Sequence, residues 1–174
     1  MSRLTTALRA VSATALVGSF AFAGTATVTA DPNTGSQTDT NTLAGSLSKG
    51  YSLNNCKSTP LTEKGELAEI QCGQSPDSSG PATAQYALFS NGNDLAATFN
   101  KTVQSTTMTG CGTDVKQSPG TWSQGGAQGG QLACFTTNNQ AGVTWTIDSK
   151  NVIGVLTASN GDVNSLYQWW KANG

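Results

Sequence analysis

VTWTIDSKNVIGVLTASNGDVNSLYQWW, running from Val143 to Trp170, is the stretch whose reading decides the fold. Val143, Trp145 and Ile147 alternate with polar neighbours, the period-two signature of a strand with one wet face. Val152 to Thr157 is nearly continuous apolar sequence, which predicts a central strand covered on both faces. Ser159-Asn160-Gly161 then makes a turn, Asp162 offers a helix cap, and Val163, Leu166, Tyr167 and Trp170 fall on one helical stripe. Strand, strand, turn and amphipathic helix therefore follow one another within a single segment.

The same grammar appears further towards the N-terminus. Ala68, Ile70 and Cys72 alternate with Glu69 and Gln71, and Ala84, Tyr86 and Leu88 alternate likewise, with Phe89 on the opposite side. After the turn-forming Ser90-Asn91-Gly92-Asn93, Asp94 is placed to cap a helix that carries Leu95, Phe99 and Val103 at four-residue spacing. Leu132 and Cys134 mark a further strand in the second half. Gly125-Gly126-Ala127-Gln128-Gly129-Gly130 lacks the Lys-Ser/Thr ending of a phosphate-cradling loop and opens no helix, so it reads as a hairpin connection. The resulting prediction is an α+β domain: a tandem β-β-α pseudo-repeat, with an extra strand in the second half. Both amphipathic helices are expected on one face of an antiparallel sheet, leaving the other face to water or a partner.

Residues 1–30 read as an export signal. Arg3 and Arg9 supply a basic start, Ala13 to Ala23 is small and apolar, and Val28-Thr29-Ala30 is a small-residue cleavage site ahead of Asp31-Pro32. The apolar run falls short of the roughly 20 residues of a spanning helix. Cleavage after Ala30 is expected, giving a secreted or wall-associated product with no stable membrane insertion; no cysteine is placed to take a lipid anchor. Residues 31–42 hold no large apolar side chain and read as a disordered linker. The remaining residues, 43–174, form one domain, in which Leu43 and Leu47 predict a short helix or turn that lays Tyr51 against the core.

Beyond residue 30 the chain carries seven lysines against ten acids, a net charge of about −3. This mild acidity disfavours nucleic acid and polybasic membrane binding. Cys56, Cys72, Cys111 and Cys134 all lie in the exported part, an even number that predicts two disulfides. Of the three pairings, Cys56 with Cys72 and Cys111 with Cys134 is preferred, because each closes a local loop within one half. A four-thiolate zinc site would need closer cysteine spacing.

The chain contains no histidine, which removes Ser-His-Asp and Cys-His catalysis and every His-ligated metal site. Glu63, Glu66 and Glu69 cluster in sequence but read as a solvated edge or loop face. Lys57, Lys64 and Lys116 sit in polar contexts unsuited to activating a serine. Asp114, Asp148 and Asp162 are too scattered for a calcium loop. No catalytic residue, metal or cofactor is assigned. Trp145 and Trp170 are expected in the core. Trp169 falls off the helical stripe and Trp122 lies in a loop beside Pro119 and Gly120, so these two are the candidate recognition residues.

Gly50-Tyr51, Gly80-Pro81 followed by Ala84-Gln85-Tyr86-Ala87-Leu88-Phe89, Ser118-Pro119-Gly120-Thr121-Trp122, Val143-Thr144-Trp145-Thr146 and Tyr167-Gln168-Trp169-Trp170 resemble small secreted mycobacterial and related actinobacterial domains. Similar segments occur outside the membrane on some bacterial serine/threonine kinases. The resemblance spans roughly residues 45–174, brings no catalytic residues and no kinase motifs, and implies an extracytoplasmic sensing or binding module. The expected function is recognition of a cell-envelope component, small ligand or protein, with enzyme inhibition as a subclass by fold analogy alone. A carboxylate-dependent glycan hydrolase and a passive wall protein are the alternatives.

Overall fold

The alternating segments assemble, in a computed structural model describing residues 33–174, into one antiparallel sheet. The expected export signal and its cleavage position lie outside the described residues. The strands are β1 (Cys56–Ser58), β2 (Glu66–Cys72), β3 (Thr83–Phe89), β4 (Thr107–Thr109), β5 (Gly120–Gln124), β6 (Ala127–Thr137), β7 (Gln140–Ile147) and β8 (Val152–Thr157). Their order is β1-β2-β3-β8-β7-β6-β4, with β5 also paired to β6. The long β6 carries both short strands along one edge: β4 pairs Cys134–Thr136 and β5 pairs Ala127–Leu132. The apolar run at Val152 thus forms the middle strand, held between β3 and β7.

Three helices dock on this sheet: α1 (Gln37–Ala44), α2 (Gly92–Gln104) and α3 (Val163–Asn173). They do not share a face, contrary to the expectation from the sequence. Leu43 of α1 and Leu166, Tyr167, Trp169 and Trp170 of α3 pack with Ala84, Tyr86, Val143, Trp145 and Leu156. Leu95 and Phe99 of α2 pack with Ala87, Phe89, Ala133 and Ile153, which point to the other side of the same strands. An amphipathic stripe says that a helix is docked but not on which side of a sheet. The strand order of the pseudo-repeat survives, but its two terminal helices end on opposite faces. The second face is accordingly not left open; α2 covers part of it.

The segment expected to be a disordered linker is ordered from residue 33. Ser36 caps α1, its Oγ accepting from the Asp39 N–H at 3.0 Å and donating to Asp39 Oδ2 at 2.6 Å. Thr40 and Leu43 are buried. Just before the helix, Gly35 bridges to Ala68 and the Asn33 carbonyl accepts from the Leu61 N–H. Gly35 has φ +81° and lies too close to the Leu67 carbonyl for any side chain. One buried leucine and one cap order a segment that composition alone makes look too polar to fold. It also shields the edge of β2.

Two other local signals shift slightly. Asn91 rather than Asp94 caps α2, accepting from the Asn93 and Asp94 N–H groups at 3.0 Å, and Asp94 sits in the first turn. Asp162 caps α3 as expected, accepting from the Ser165 N–H at 3.0 Å. The disulfides are Cys56–Cys72, directly opposite each other on β1 and β2, and Cys111–Cys134, which fastens the loop after β4 to β6.

Truncating Phe99 to alanine should cost about 3–5 kcal/mol, as for a fully buried aromatic side chain; a loss within experimental error in urea unfolding would contradict the docking of α2. Replacing Cys111 and Cys134 together by alanine should lower stability by about 3 kcal/mol, the chain-entropy value for a loop of this length.

Candidate functional site

All four tryptophans and all three tyrosines of the chain lie in one continuous array on the α1/α3 face. Trp169 meets Tyr51, Tyr51 meets Tyr86, and Tyr86 meets Trp145, with centroids 6.4, 6.4 and 5.9 Å apart. Trp145 continues to Trp170 at 5.7 Å, which is stacked on Tyr167 at 5.7 Å and edge-on to Trp122 at 5.8 Å. Buried Tyr and Trp need partners for their polar atoms. Tyr86 donates to Ser48 Oγ at 2.9 Å and Tyr51 to the Gly73 carbonyl at 3.2 Å. Burial, followed by the neighbouring Tyr86, pushes the Tyr51 hydroxyl up to about 12.

Trp169 belongs to the inner end of this array, which corrects its assignment as a recognition residue. It is only 6% exposed, and its indole N–H donates to Asp77 Oδ2 at 3.0 Å. The Gly80 backbone lies close against it, so that a side chain at position 80 would meet the indole nitrogen. Its position off the α3 stripe reflects a broad contact surface: the loop carrying Asp77 and Gly80 covers the flank that a narrow stripe leaves out.

Trp122 lies at the opposite end and stays partly open. Gly125 and Gly126, with φ +60° and +84°, form the tight turn between β5 and β6 that returns the chain over the indole. The ring lies against Gly129, where a Cβ would strike it, and its N–H donates to the Thr146 carbonyl at 2.7 Å. The glycine-rich stretch is thus a hairpin, shaped to seat an indole. Ser118 secures the preceding loop by accepting from the Cys134 N–H at 2.9 Å.

Between Trp122 and α3 opens a cleft of about 350 Å³. Trp122, Trp170, Tyr167, Leu132 and Val115 supply its apolar walls. Asp114 and Lys171 face each other at its rim, with Nζ and Oδ2 2.5 Å apart. Tyr167 donates to the same carboxylate at 3.2 Å, and the Lys171 ammonium lies 5.6 Å from the Tyr167 ring centroid. Hydrogen bonds from Lys171 and Tyr167 hold the Asp114 carboxyl below its usual range. Burial, reinforced by the Asp114 carboxylate, pushes the Tyr167 hydroxyl up to about 12. The cleft offers apolar surface beside one fixed, charge-compensated donor-acceptor pair, a composition suited to orienting a small ligand.

Of the two sequence-predicted residues only Trp122 lines this cleft. Tyr167 and Trp170 carried a clear signal, but as core residues of the α3 stripe. Asp114 and Lys171 are 57 positions apart, and only the disulfide at Cys111 and the docking of α3 bring them together. No spacing rule along the chain could have joined them.

The glutamates also depart from expectation. Glu66 and Glu69, expected on a solvated face, are only 8% and 7% exposed. Glu66 accepts from the Thr62 and Glu63 N–H groups at 2.7 and 3.0 Å, and Glu69 from Gln85 Nε2 at 2.5 Å. They border a cavity of about 200 Å³ beside Thr98 and Thr102 of α2, while Glu63 pairs with Lys101 of that helix at 2.6 Å. Thr62, Glu63 and the α2 residues Thr98 and Thr102 surround the Glu66 and Glu69 end of β2, while Gln71 on the same face stays exposed. Lys57, Lys64 and Lys116 are exposed, and Lys64 pairs with Asp94. Asp148 accepts from the Thr146 hydroxyl at 2.6 Å. Among the described residues no group of three or more His, Cys, Asp or Glu is arranged to hold a metal ion. No protein-family model, curated protein or solved structure matches the chain.

Burial pushes the Glu66 carboxyl above its ordinary 4.5, with the adjoining Glu69 adding to the rise against the two backbone hydrogen bonds. The folded state therefore holds this proton more tightly than the unfolded chain. Its stabilising contribution is complete below about pH 4.5 and is lost as pH rises through the higher folded value. Urea unfolding across pH 4 to 8 should show that falling contribution, and Glu66→Gln should flatten it; an unchanged slope in the variant would contradict the assignment.

Proposed function

We propose that this chain is an extracytoplasmic binding module whose ligand seat is the cleft beside Trp122. The observation that carries the reading is the arrangement of the aromatic array. Its inner members are buried with their polar atoms largely satisfied, whereas at its outer end a partly open indole meets a cleft with a fixed ion pair. An anchoring aromatic beside a desolvated pocket is the usual centre of a binding site. The two disulfides fit folding in an oxidising compartment. No helix among the described residues is long and apolar enough to cross a membrane.

Export through residues 1–30, cleavage after Ala30 and kinship with the small secreted actinobacterial domains and kinase sensor segments belong to the same proposal. The ligand would be a cell-envelope component, a small molecule or a protein met outside the cytoplasm. A glycan hydrolase draws no support from the geometry. Glu66 and Glu69 are buried neighbours on one strand, not carboxyl groups set across an open cleft about 5–9.5 Å apart. Among the side chains that line the Trp122 cleft, Asp114 is the single carboxylate.

Adding a native cell-envelope extract to the ¹⁵N-labelled chain should shift the Trp122 indole signal and leave that of Trp169 in place. Trp122→Ala should weaken capture of the responsible component by at least about 2 kcal/mol, the size of a central aromatic contact. A response confined to residues far from the cleft would contradict the proposed seat.

A further inference from the structure

We infer that the Trp122 cleft receives a neutral sugar ring, one unit of a glycan; this rests on the reading of the cleft as a ligand seat. The first support is charge. Asp114 and Lys171 are the charged side chains lining the cleft, and they are bonded to each other. An anionic ligand would have to compete with Asp114 for the ammonium, and a cationic one with Lys171 for the carboxylate. A neutral ligand pays neither cost, because it leaves the pair intact.

The second support is the hydrogen-bonding capacity that this pair retains. The side chains of Lys171 and Asp114 are 43% and 45% exposed, so the ammonium keeps free N–H donors and the carboxylate free lone pairs. Two adjacent hydroxyls on one ring satisfy this arrangement, one accepting from Lys171 and its neighbour donating to Asp114. Thr121, Ser123 and Gln124 of β5, all uncharged and exposed, also line the cleft.

The third support is the wall itself. A sugar ring presents hydroxyls around its edge and C–H groups on its faces. The cleft likewise sets hydroxyl-seeking groups beside the partly exposed Trp122 and Val115, with Leu132 buried beneath them. At about 350 Å³ it lies at the small end of the ~300–1,000 Å³ range of ligand clefts, which suits a single ring more than an extended segment.

The test is titration of the full ¹⁵N-labelled chain with cellohexaose, xylohexaose and chitohexaose as neutral probes, and with hexagalacturonate and hexameric chitosan as charged ones. Binding is followed by calorimetry and by the Trp122 indole signal. At least one neutral oligosaccharide should shift that signal, with the anionic and cationic probes about tenfold weaker or worse. Lys171→Ala and Asp114→Asn, each checked for an unchanged fold by its amide spectrum, should each weaken the neutral probe about tenfold. Equal or better binding of a charged probe would overturn the inference. A Trp122 signal that moves with envelope extract but with none of the neutral probes would overturn the sugar assignment and leave the ligand seat standing. A signal that moves with neither would defeat both.

Discussion

The pairing of β3 with β8 at the centre of the sheet is the constraint from which the rest follows. Neither strand has a fully wet face: Ala84, Tyr86 and Leu88 point one way and Ala87 and Phe89 the other, with Val152 and Leu156 opposed to Ile153 in the same manner. A sheet apolar on both sides must be covered on both sides. The helix after β3 covers one face and the helix after β8 the other. The chain keeps the two faces chemically distinct, with every Trp and Tyr on the α3 side and Phe89 and Phe99 beneath α2.

This division gives the molecule its single aromatic array and decides where that array ends. Each ring pair adds about 0.5–1.5 kcal/mol beyond area burial, so the array stiffens α3 against the sheet as well as filling space. Gly154 lies against the Trp145 ring, where a side chain would collide with it, and so lets that indole lie flat between β8 and α3. The polar atoms of these side chains draw in the surrounding loops: Ser48 through Tyr86, Asp77 through Trp169, Asp114 through Tyr167. The last of these loops is tied to β6 by Cys111–Cys134. A rigid wall, a fixed carboxylate and a helix-borne lysine therefore meet at the Trp122 end, which is the kind of support that a preorganised site requires.

Much of this was legible in the sequence because it is local. Period-two alternation located β2, β3 and β7, a nearly continuous apolar run located β8, helical spacing located α2 and α3, and loop-local pairing of the cysteines matched both disulfides. What escaped is nonlocal. The side on which α2 docks depends on the strand order, and the clue was Phe89, an apolar side chain on the face assumed to be wet. α1 escaped because its stability comes from Leu43 meeting β2 and β3, not from its own composition. Trp169 was misplaced because a helix packed under a loop buries more than its sheet-facing stripe, and the Asp114–Lys171 pair could not be seen before the fold joined its halves.

The central claim is that one end of a buried aromatic array opens onto a cleft at Trp122, and it is tested most directly by incorporating 5-fluorotryptophan and recording ¹⁹F spectra with a soluble paramagnetic agent. The account predicts that relaxation enhancement and the solvent-isotope shift are largest at Trp122 and small at Trp145, Trp169 and Trp170. A response at Trp169 equal to that at Trp122 would contradict it.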